Sequence, residues 1–365
     1  MKKNQSFDKL RTRRIGIDAR FFGPKDKGFG RYTQQLVKGL ERIDKRNNYF
    51  VFLKKERWND YKPANSNFKK VLADYKWYGI KEQIFFPLKL KKYKLDLVHF
   101  THFNVPIFYW GKFVVTIHDL TLRHFPTCRK NLKNLIFYPF KNLAYRIVFR
   151  HAIKSSENII AISEHTKKDI LKYYQVLKNK IQVIYEGVTG ISPVRSAKRS
   201  FGGRGKKPYL LYVGNDYPHK NLKRLKLAFK KLVENGLDFE LVLITEFVSE
   251  KELDSLYKNA SLFVFPSLSE GFGLPPLEAM ARGLPIVSSN ATCLPEILGN
   301  AAAYFNPLNI DDMAEKIQKT LLDDRAKKAL IKKGFEQIKK YSWQKMVKET
   351  LGLYKKITQN GREMI

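Results

Sequence analysis

Short apolar runs alternate with helical patterns along most of the chain, the signature of an α/β fold built on parallel sheets. In the first half the runs are Arg14–Arg20, Tyr49–Leu53, Leu95–Phe100, Lys112–Ile117, Ile159–Ser163 and Ile181–Val188. In the second they are Pro208–Gly214, Phe239–Ile244, Leu262–Phe265 and Pro285–Ser288. Several are apolar at nearly every position, as strands covered on both faces by helices are. Gly23–Gly30 reads as a glycine loop after the first strand, and Arg31–Arg42 then carries Tyr32, Leu36, Val37 and Leu40 at helical spacing. Residues 131–153 read as a basic, aromatic helix, and Ser163-Glu-His-Thr166 caps the next one. Asp311–Leu321 and Asp324–Lys340 read as helices, and Ser342-Trp343 caps a last helix.

A chain of 365 residues is longer than one typical core and suits two domains. The pattern divides it into a basic leader at 1–13, a Rossmann-like domain at 14–190, a linker at 191–207 rich in Arg, Lys and Gly, and a second Rossmann-like domain at 208–341. A terminal helical segment follows at 342–365.

The densest chemistry lies in Pro266-Ser-Leu-Ser-Glu-Gly-Phe-Gly-Leu-Pro-Pro-Leu-Glu-Ala-Met. The apolar strand Leu262–Phe265 stops at a proline. A loop with Glu270, Gly271 and Gly273 follows, and Pro275-Pro276 then opens a helix carrying Glu278. Proline suits a first helical turn because its φ is already set and it has no N–H to lose. The helix start offers free N–H groups and partial positive charge to a phosphate, and the nearby carboxylates can accept hydrogen bonds from sugar hydroxyls. Residue chemistry alone therefore points to a nucleotide-sugar site.

The spacing of Glu270 and Glu278 resembles the E-x7-E motif of retaining glycosyltransferases of the GT-B fold. The window Glu-Gly-Phe-Gly-Leu-Pro-Pro-Leu-Glu-Ala-Met is similar to that of glycosyltransferase family 4. The resemblance covers about residues 14–357. It implies two Rossmann-like α/β domains facing a cleft, with the last helix crossing back onto the first domain. It implies a nucleotide-diphosphate sugar as substrate, no metal or other cofactor, and front-face substitution with retention. Its donor side falls on Gly214, Lys220, Glu270, Gly271, Phe272, Gly273, Leu274 and Glu278, with Lys220 on the diphosphate, Glu270 on sugar hydroxyls and Glu278 on the ribose. His118, at the end of the strand Lys112–Ile117, is implied to contact the sugar and its phosphate. His118, Glu270 and Lys220 make up the implied catalytic set, and Gly28, Phe29 and Gly30 form the implied acceptor-side loop. Where relatives often place an arginine near the lysine, this chain has His219 and Asn215.

One departure is large. After Ile244 the chain runs through Thr-Glu-Phe-Val-Ser249 straight into the next helix, leaving out about 30 residues, one strand-plus-helix unit. The expectation is a second sheet with 239–244 at its edge beside 209–213, and a nucleobase pocket built less completely.

Charge adds a partner. The chain carries 69 Lys and Arg against 34 Asp and Glu, a net +35, which favours polyanions. Lysines and aromatic residues interleave over 69–94, a mixture suited to an anionic membrane surface and also to stacking on single-stranded nucleic acid; a helix with an ordinary aromatic core face accommodates it as well. No nucleic-acid module is recognisable, so specific nucleic-acid binding is not expected. No apolar run reaches membrane-spanning length and the N-terminus lacks a signal-peptide core, which fits a cytoplasmic protein, peripheral on the inner face of the membrane. Cys128 and Cys293 offer no disulfide framework, and His99 with His102 lacks a third metal ligand. The expected function is transfer of a sugar, mannose-like, to a glycan or polyprenyl-linked acceptor in cell-surface polysaccharide synthesis. The competing readings are a non-catalytic sugar-nucleotide-binding scaffold and, more remotely, a nucleic-acid binder.

Overall fold

The computed structural model describes residues 12–125, 132–189 and 207–359. Nearly all of the leader 1–13 and the linker 191–207, as well as Cys128, Asn131 and the last six residues of the terminal segment, lie outside the described residues. Two sheets form. The first has seven strands: β1 (Arg14–Asp18), β2 (Asn48–Leu53), β3 (Phe68–Leu72), β4 (Leu97–Phe100), β5 (Phe113–Ile117), β6 (Asn158–Ala161) and β7 (Ile181–Val183), in the order β3-β2-β1-β4-β5-β6-β7. The second has five: β8 (Tyr209–Val213), β9 (Glu240–Ile244), β10 (Leu262–Phe265), β11 (Ile286–Ser289) and β12 (Ala302–Phe305), in the order β12-β11-β10-β8-β9. Every pair in the second sheet is parallel, as is β1 with both β2 and β4. β4, β5, β10 and β11 are buried at every residue, which explains their unbroken apolar runs.

Compact packing divides the chain into two units. One holds residues 1–116, 146–159 and 347–365; the other holds 117–145 and 160–346. Within the first, the Tyr354 hydroxyl on the helix Trp343–Gln359 hydrogen-bonds His99 Nδ1, and His99 Nε2 lies 2.8 Å from Thr116 Oγ1. His99 is thereby part of a buried polar network.

β9 is the edge strand, paired with β8 from Tyr209↔Glu240 to Val213↔Ile244. The expected absence of an outer strand-plus-helix unit is therefore present among the described residues. Leu241 to Ile244 are only half-buried, Phe247 is 59% exposed, and Glu240 and Glu246 are exposed at the two ends of the strand. Exposed charge beside an open edge discourages pairing with other chains. The helix Glu250–Asn259 follows at once, its first turn capped by Ser249, whose Oγ accepts from the Glu252 N–H.

Three sequence expectations change. The segment Gly28-Phe29-Gly30 is not loop but the first turn of the helix Lys27–Ile43, preceded by a tight turn at Pro24–Asp26. The Gly23 N–H donates to the Gly30 carbonyl, and a Cβ on Gly30 would collide with the Gly23 carbonyl. Gly30 thus serves close packing of the turn on the helix. Second, β3 breaks up the 69–94 stretch before the helix Ile80–Lys92 begins. Third, β12 forms at Ala302–Phe305, where no strand was expected.

Candidate functional site

In an open α/β sheet the strand order reverses at one place, and ligands bind beyond the carboxyl ends of the strands there. In the second sheet that place lies between β8 and β10. The segment after β8 begins at Gly214, makes a turn at Pro218–Lys220 and enters the helix Leu222–Glu234 through Asn221 in the left-handed conformation. The segment after β10 is the Pro266–Gly273 loop. The Leu268 N–H donates to the His219 carbonyl, tying the two together. Lys220 Nζ lies 2.6 Å from Glu270 Oε1, the two side chains being 13% and 12% exposed. The two residues expected to hold diphosphate and sugar hydroxyls thus meet as an ion pair at the switch point.

The helix Leu274–Ala281 starts beside them. Gly273, at φ 94°, forms its N-cap, a conformation that a Cβ would strain. Leu274 and Phe272 are buried, and Glu278 is 6% exposed with its Oε2 accepting from the Tyr257 hydroxyl at 3.2 Å. Tyr257 comes from the helix Glu250–Asn259, so the element that follows the shortened edge also supports the second carboxylate.

His118, just past β5, belongs to the same unit. Its carbonyl abuts Gly271 so closely that a Cβ there would collide with it. The Ser163 hydroxyl donates to the Gly271 carbonyl at 2.7 Å, and Thr121 Oγ1 lies 3.1 Å from Ser269 Oγ. These contacts fix the Glu270–Gly273 loop against His118, Thr121 and Ser163 of the same unit. His118 Nδ1 lies 3.1 Å from Glu186 Oε1, with both side chains buried. His219 is held below its ordinary pKa by burial and then by the neighbouring Lys220.

Gly28, Phe29 and Gly30 lie in the other unit. Phe29 meets the His102 ring edge-on at 4.9 Å, and Phe21 stacks on Trp77 at 3.7 Å. Beneath them the fully buried Arg20 pairs with Asp18 at 2.7 Å and with Glu82, its guanidinium 4.7 Å from the Trp77 ring and 4.1 Å from Phe86. This aromatic cluster lies at the carboxyl end of β1. Sequence reasoning missed it, and it missed Glu186 and Tyr257. Arg20 and Glu186 do follow strands, which is the signal that the strand-end rule offers. Among the described residues no three His, Cys, Asp or Glu side chains are grouped to hold a metal ion.

Parallel sheets, the second with a carboxylate and a lysine paired at its switch point, define an α/β protein with a candidate ligand site at that point, and comparison with known proteins agrees on the fold. The family model for glycosyltransferase family 4 matches residues 27–189, and that for glycosyl transferases group 1 matches 240–337. O-antigen chain mannosyltransferase B of Escherichia coli is 27% identical over 297 residues, 73% of this chain and 76% of its own length. O-antigen chain mannosyltransferase RfbU of Salmonella typhimurium is 28% identical over 253 residues, 63% of this chain and 66% of that protein. Among solved structures, sucrose-phosphate synthase from Thermosynechococcus elongatus superposes with a TM-score of 0.71 at 17% identity, covering 96% of this chain and 100% of that one. WaaG, a glycosyltransferase involved in lipopolysaccharide biosynthesis, gives 0.70 at 15% identity over 92% of this chain and 98% of its own. Both likenesses are of fold. The chain belongs to glycosyltransferase family 4 and is a glycosyltransferase of the GT-B fold.

Proposed function

We propose that the protein transfers a hexose, mannose-like, from a nucleotide-diphosphate sugar to a glycan or polyprenyl-linked acceptor in the synthesis of a cell-surface polysaccharide. The observation that carries this reading is the Lys220–Glu270 pair at the switch point of the second sheet, at the start of a helix whose next carboxylate is Glu278. Two mannosyltransferases of O-antigen chains as relatives support the choice of sugar and acceptor. In the proposed mechanism the Lys220 ammonium and the backbone N–H groups near Gly271–Gly273 stabilise the departing diphosphate, without a metal. Glu270 exchanges its lysine partner for sugar hydroxyls, Glu278 binds the ribose, and transfer proceeds with retention. His118 faces the sugar, and the turn at Gly28–Gly30 with its aromatic neighbours serves the acceptor.

A polyprenyl-linked acceptor would call the enzyme to a membrane surface, and two helices have faces that suit one. The helix Ile80–Lys92 exposes Ile80 (80%), Ile84, Phe85 and Leu88 beside Lys81, Lys91 and Lys92. The helix Leu132–Ser155 contains no Asp or Glu and exposes Phe140, Leu143 and Ile147 at helical spacing. Apolar side chains rimmed by lysine and arginine suit the headgroup region of an anionic bilayer. No described helix is long and apolar enough to cross a membrane.

A thermal-shift panel of nucleotide sugars tests the donor assignment, because a ligand bound by the folded state alone raises the melting temperature by mass action. The expected result is stabilisation by GDP-mannose or another nucleotide-diphosphate hexose that is lost in Glu278→Ala. No stabilisation by any member of the panel contradicts the reading.

A further inference from the structure

We propose that Thr292 is a positioning residue for Glu270, its hydroxyl holding the Glu270 amide from a left-handed backbone position that ordinarily belongs to glycine. The inference rests on the reading of Glu270 given above and adds what sets the place of that residue.

Beyond β11 the chain reverses at once. The Leu294 N–H donates to the Ala291 carbonyl at 3.2 Å, closing a four-residue turn with Thr292 and Cys293 at its centre. Thr292 has φ 54°, and Cys293 has φ −79° and ψ −10°. A positive φ followed by a negative one is the pattern of a type II′ turn, whose first central residue is ordinarily glycine. A β-branched residue there is an outlier, because its Cβ crowds the following carbonyl. Strain of this kind persists only where the surroundings over-determine it, and it clusters at functional sites.

The surroundings give this side chain a use. The Glu270 N–H donates to Thr292 Oγ1 at 3.1 Å, and both residues are half-buried. The turn is itself braced. The Asn290 N–H donates to the Phe305 carbonyl at the end of β12, and the Ala291 N–H to Ser289 Oγ at 3.0 Å. Leu294 reaches the Glu270–Gly273 loop, its Cδ2 standing 3.0 Å from where a Cβ on Gly273 would lie. Glu270 is therefore held at two points, by Lys220 at its carboxylate and by Thr292 at its amide. When the carboxylate leaves Lys220 for a sugar hydroxyl, the amide contact keeps the residue in place. Glycine would suit the turn better, but it carries no hydroxyl.

The test compares the full chain as wild type, Thr292→Ser, Thr292→Ala and Thr292→Gly. Melting temperature reads the backbone. Thr292→Gly should melt a few degrees above Thr292→Ala, since both lack the hydroxyl and only glycine takes the positive φ without strain. Amide hydrogen exchange followed by NMR reads the anchor. The Glu270 N–H should exchange as slowly in Thr292→Ser as in the wild type, and faster in Thr292→Ala and Thr292→Gly alike. Calorimetry with two probes, GDP-mannose and GDP, reads the site. Thr292→Ala and Thr292→Gly should each weaken GDP-mannose on the order of tenfold, as loss of an orienting partner does at other sites, and leave GDP unchanged. Thr292→Ser should keep both affinities. Sugar binding then follows the hydroxyl and not the melting temperature. Wild-type affinity for GDP-mannose in Thr292→Gly, exchange at Glu270 indifferent to the hydroxyl, or an equal loss for both probes overturns the proposal. A wild-type chain that binds neither probe overturns the donor assignment instead, while the exchange rates still decide whether Thr292 anchors Glu270.

Discussion

Replacing Lys220 separates what the Lys220–Glu270 pair does for stability from what it does for transfer. At 2.6 Å the two charges attract by about 6 kcal/mol at an effective dielectric near 20, before the cost of withdrawing both from water. Burial offsets much of that gain, so the pair itself adds little net stability; breaking it from one side is what costs energy. Lys220→Met leaves a carboxylate that is only 12% exposed without its cation. The cost for a fully buried pair is about 3–5 kcal/mol, and the residual exposure sets the expectation here at roughly 2–3 kcal/mol. For a unit of this size that is a fall in melting temperature of about 4–12 °C. Adding Glu270→Gln removes the stranded charge and should recover most of the loss. Transfer should follow a different course. The ammonium is assigned to the leaving diphosphate, so its removal should cost on the order of 100- to 1,000-fold in kcat whatever stands at position 270. Thermal melts and a transfer assay on Lys220→Met, Glu270→Gln and the double variant read both quantities. A double variant that regains stability and transfer together refutes the reasoning, because the lysine would then be structural alone.

Other expectations follow from different parts of the molecule. With β9 at the sheet edge, donors carrying guanine and uracil should differ in Kd by less than about tenfold; a preference of several hundredfold for one base would contradict the open pocket. Vesicles containing anionic lipid should retain the protein at low salt and release it at high salt, and Ile80→Glu with Leu143→Glu should weaken retention. Equal retention on neutral vesicles counts against the membrane face. Burial holds His151 and His165 below the usual histidine pKa, and burial followed by Lys220 does the same for His219, so the unfolded chain takes up their protons first. Stability is then fully present above a pH of about 6.5 and is lost as the pH falls through that value towards the folded-state pKa values. Glu82, raised chiefly by burial, works in the opposite sense, as one group against three. A melting temperature at pH 5.5 equal to or above that at pH 7.5 would overturn this balance.

The parts of the fold readable from sequence were those whose burial is uniform. β5 and β10 are apolar throughout because both their faces are covered, and the glycines and prolines around them mark the turns. The shortened second sheet was legible from the distance between Ile244 and Ser249, which leaves no room for another strand and helix. β3 was hidden because its buried Phe68 and Val71 stand three positions apart with Lys69 and Lys70 between them, so no strand alternation shows and the charges read as part of a basic stretch. The small alanines of β12 carry little strand signal, and its pairing to β11 supplies what propensity lacks. Gly28 and Gly30 suggested a loop, since nothing local shows that the chain folds back at Gly23 to require a glycine inside a helix. At the candidate site, Glu270 and Glu278 stood out by their spacing and Lys220 by resemblance to the family's Lys-Asn element, and the fold brings Lys220 and Glu270 together. The partner of His118 was not visible, because Glu186 lies 68 positions away and only the fold brings them together.

The most direct measurement of the central claim is product analysis after incubation of the purified protein with GDP-mannose, EDTA and membranes bearing polyprenyl-linked glycan. The account predicts release of GDP, a new mannosyl linkage with the anomeric configuration of the donor, and loss of both in Lys220→Met and Glu278→Ala. Inverted product, or product whose yield is unchanged in both variants, would contradict it.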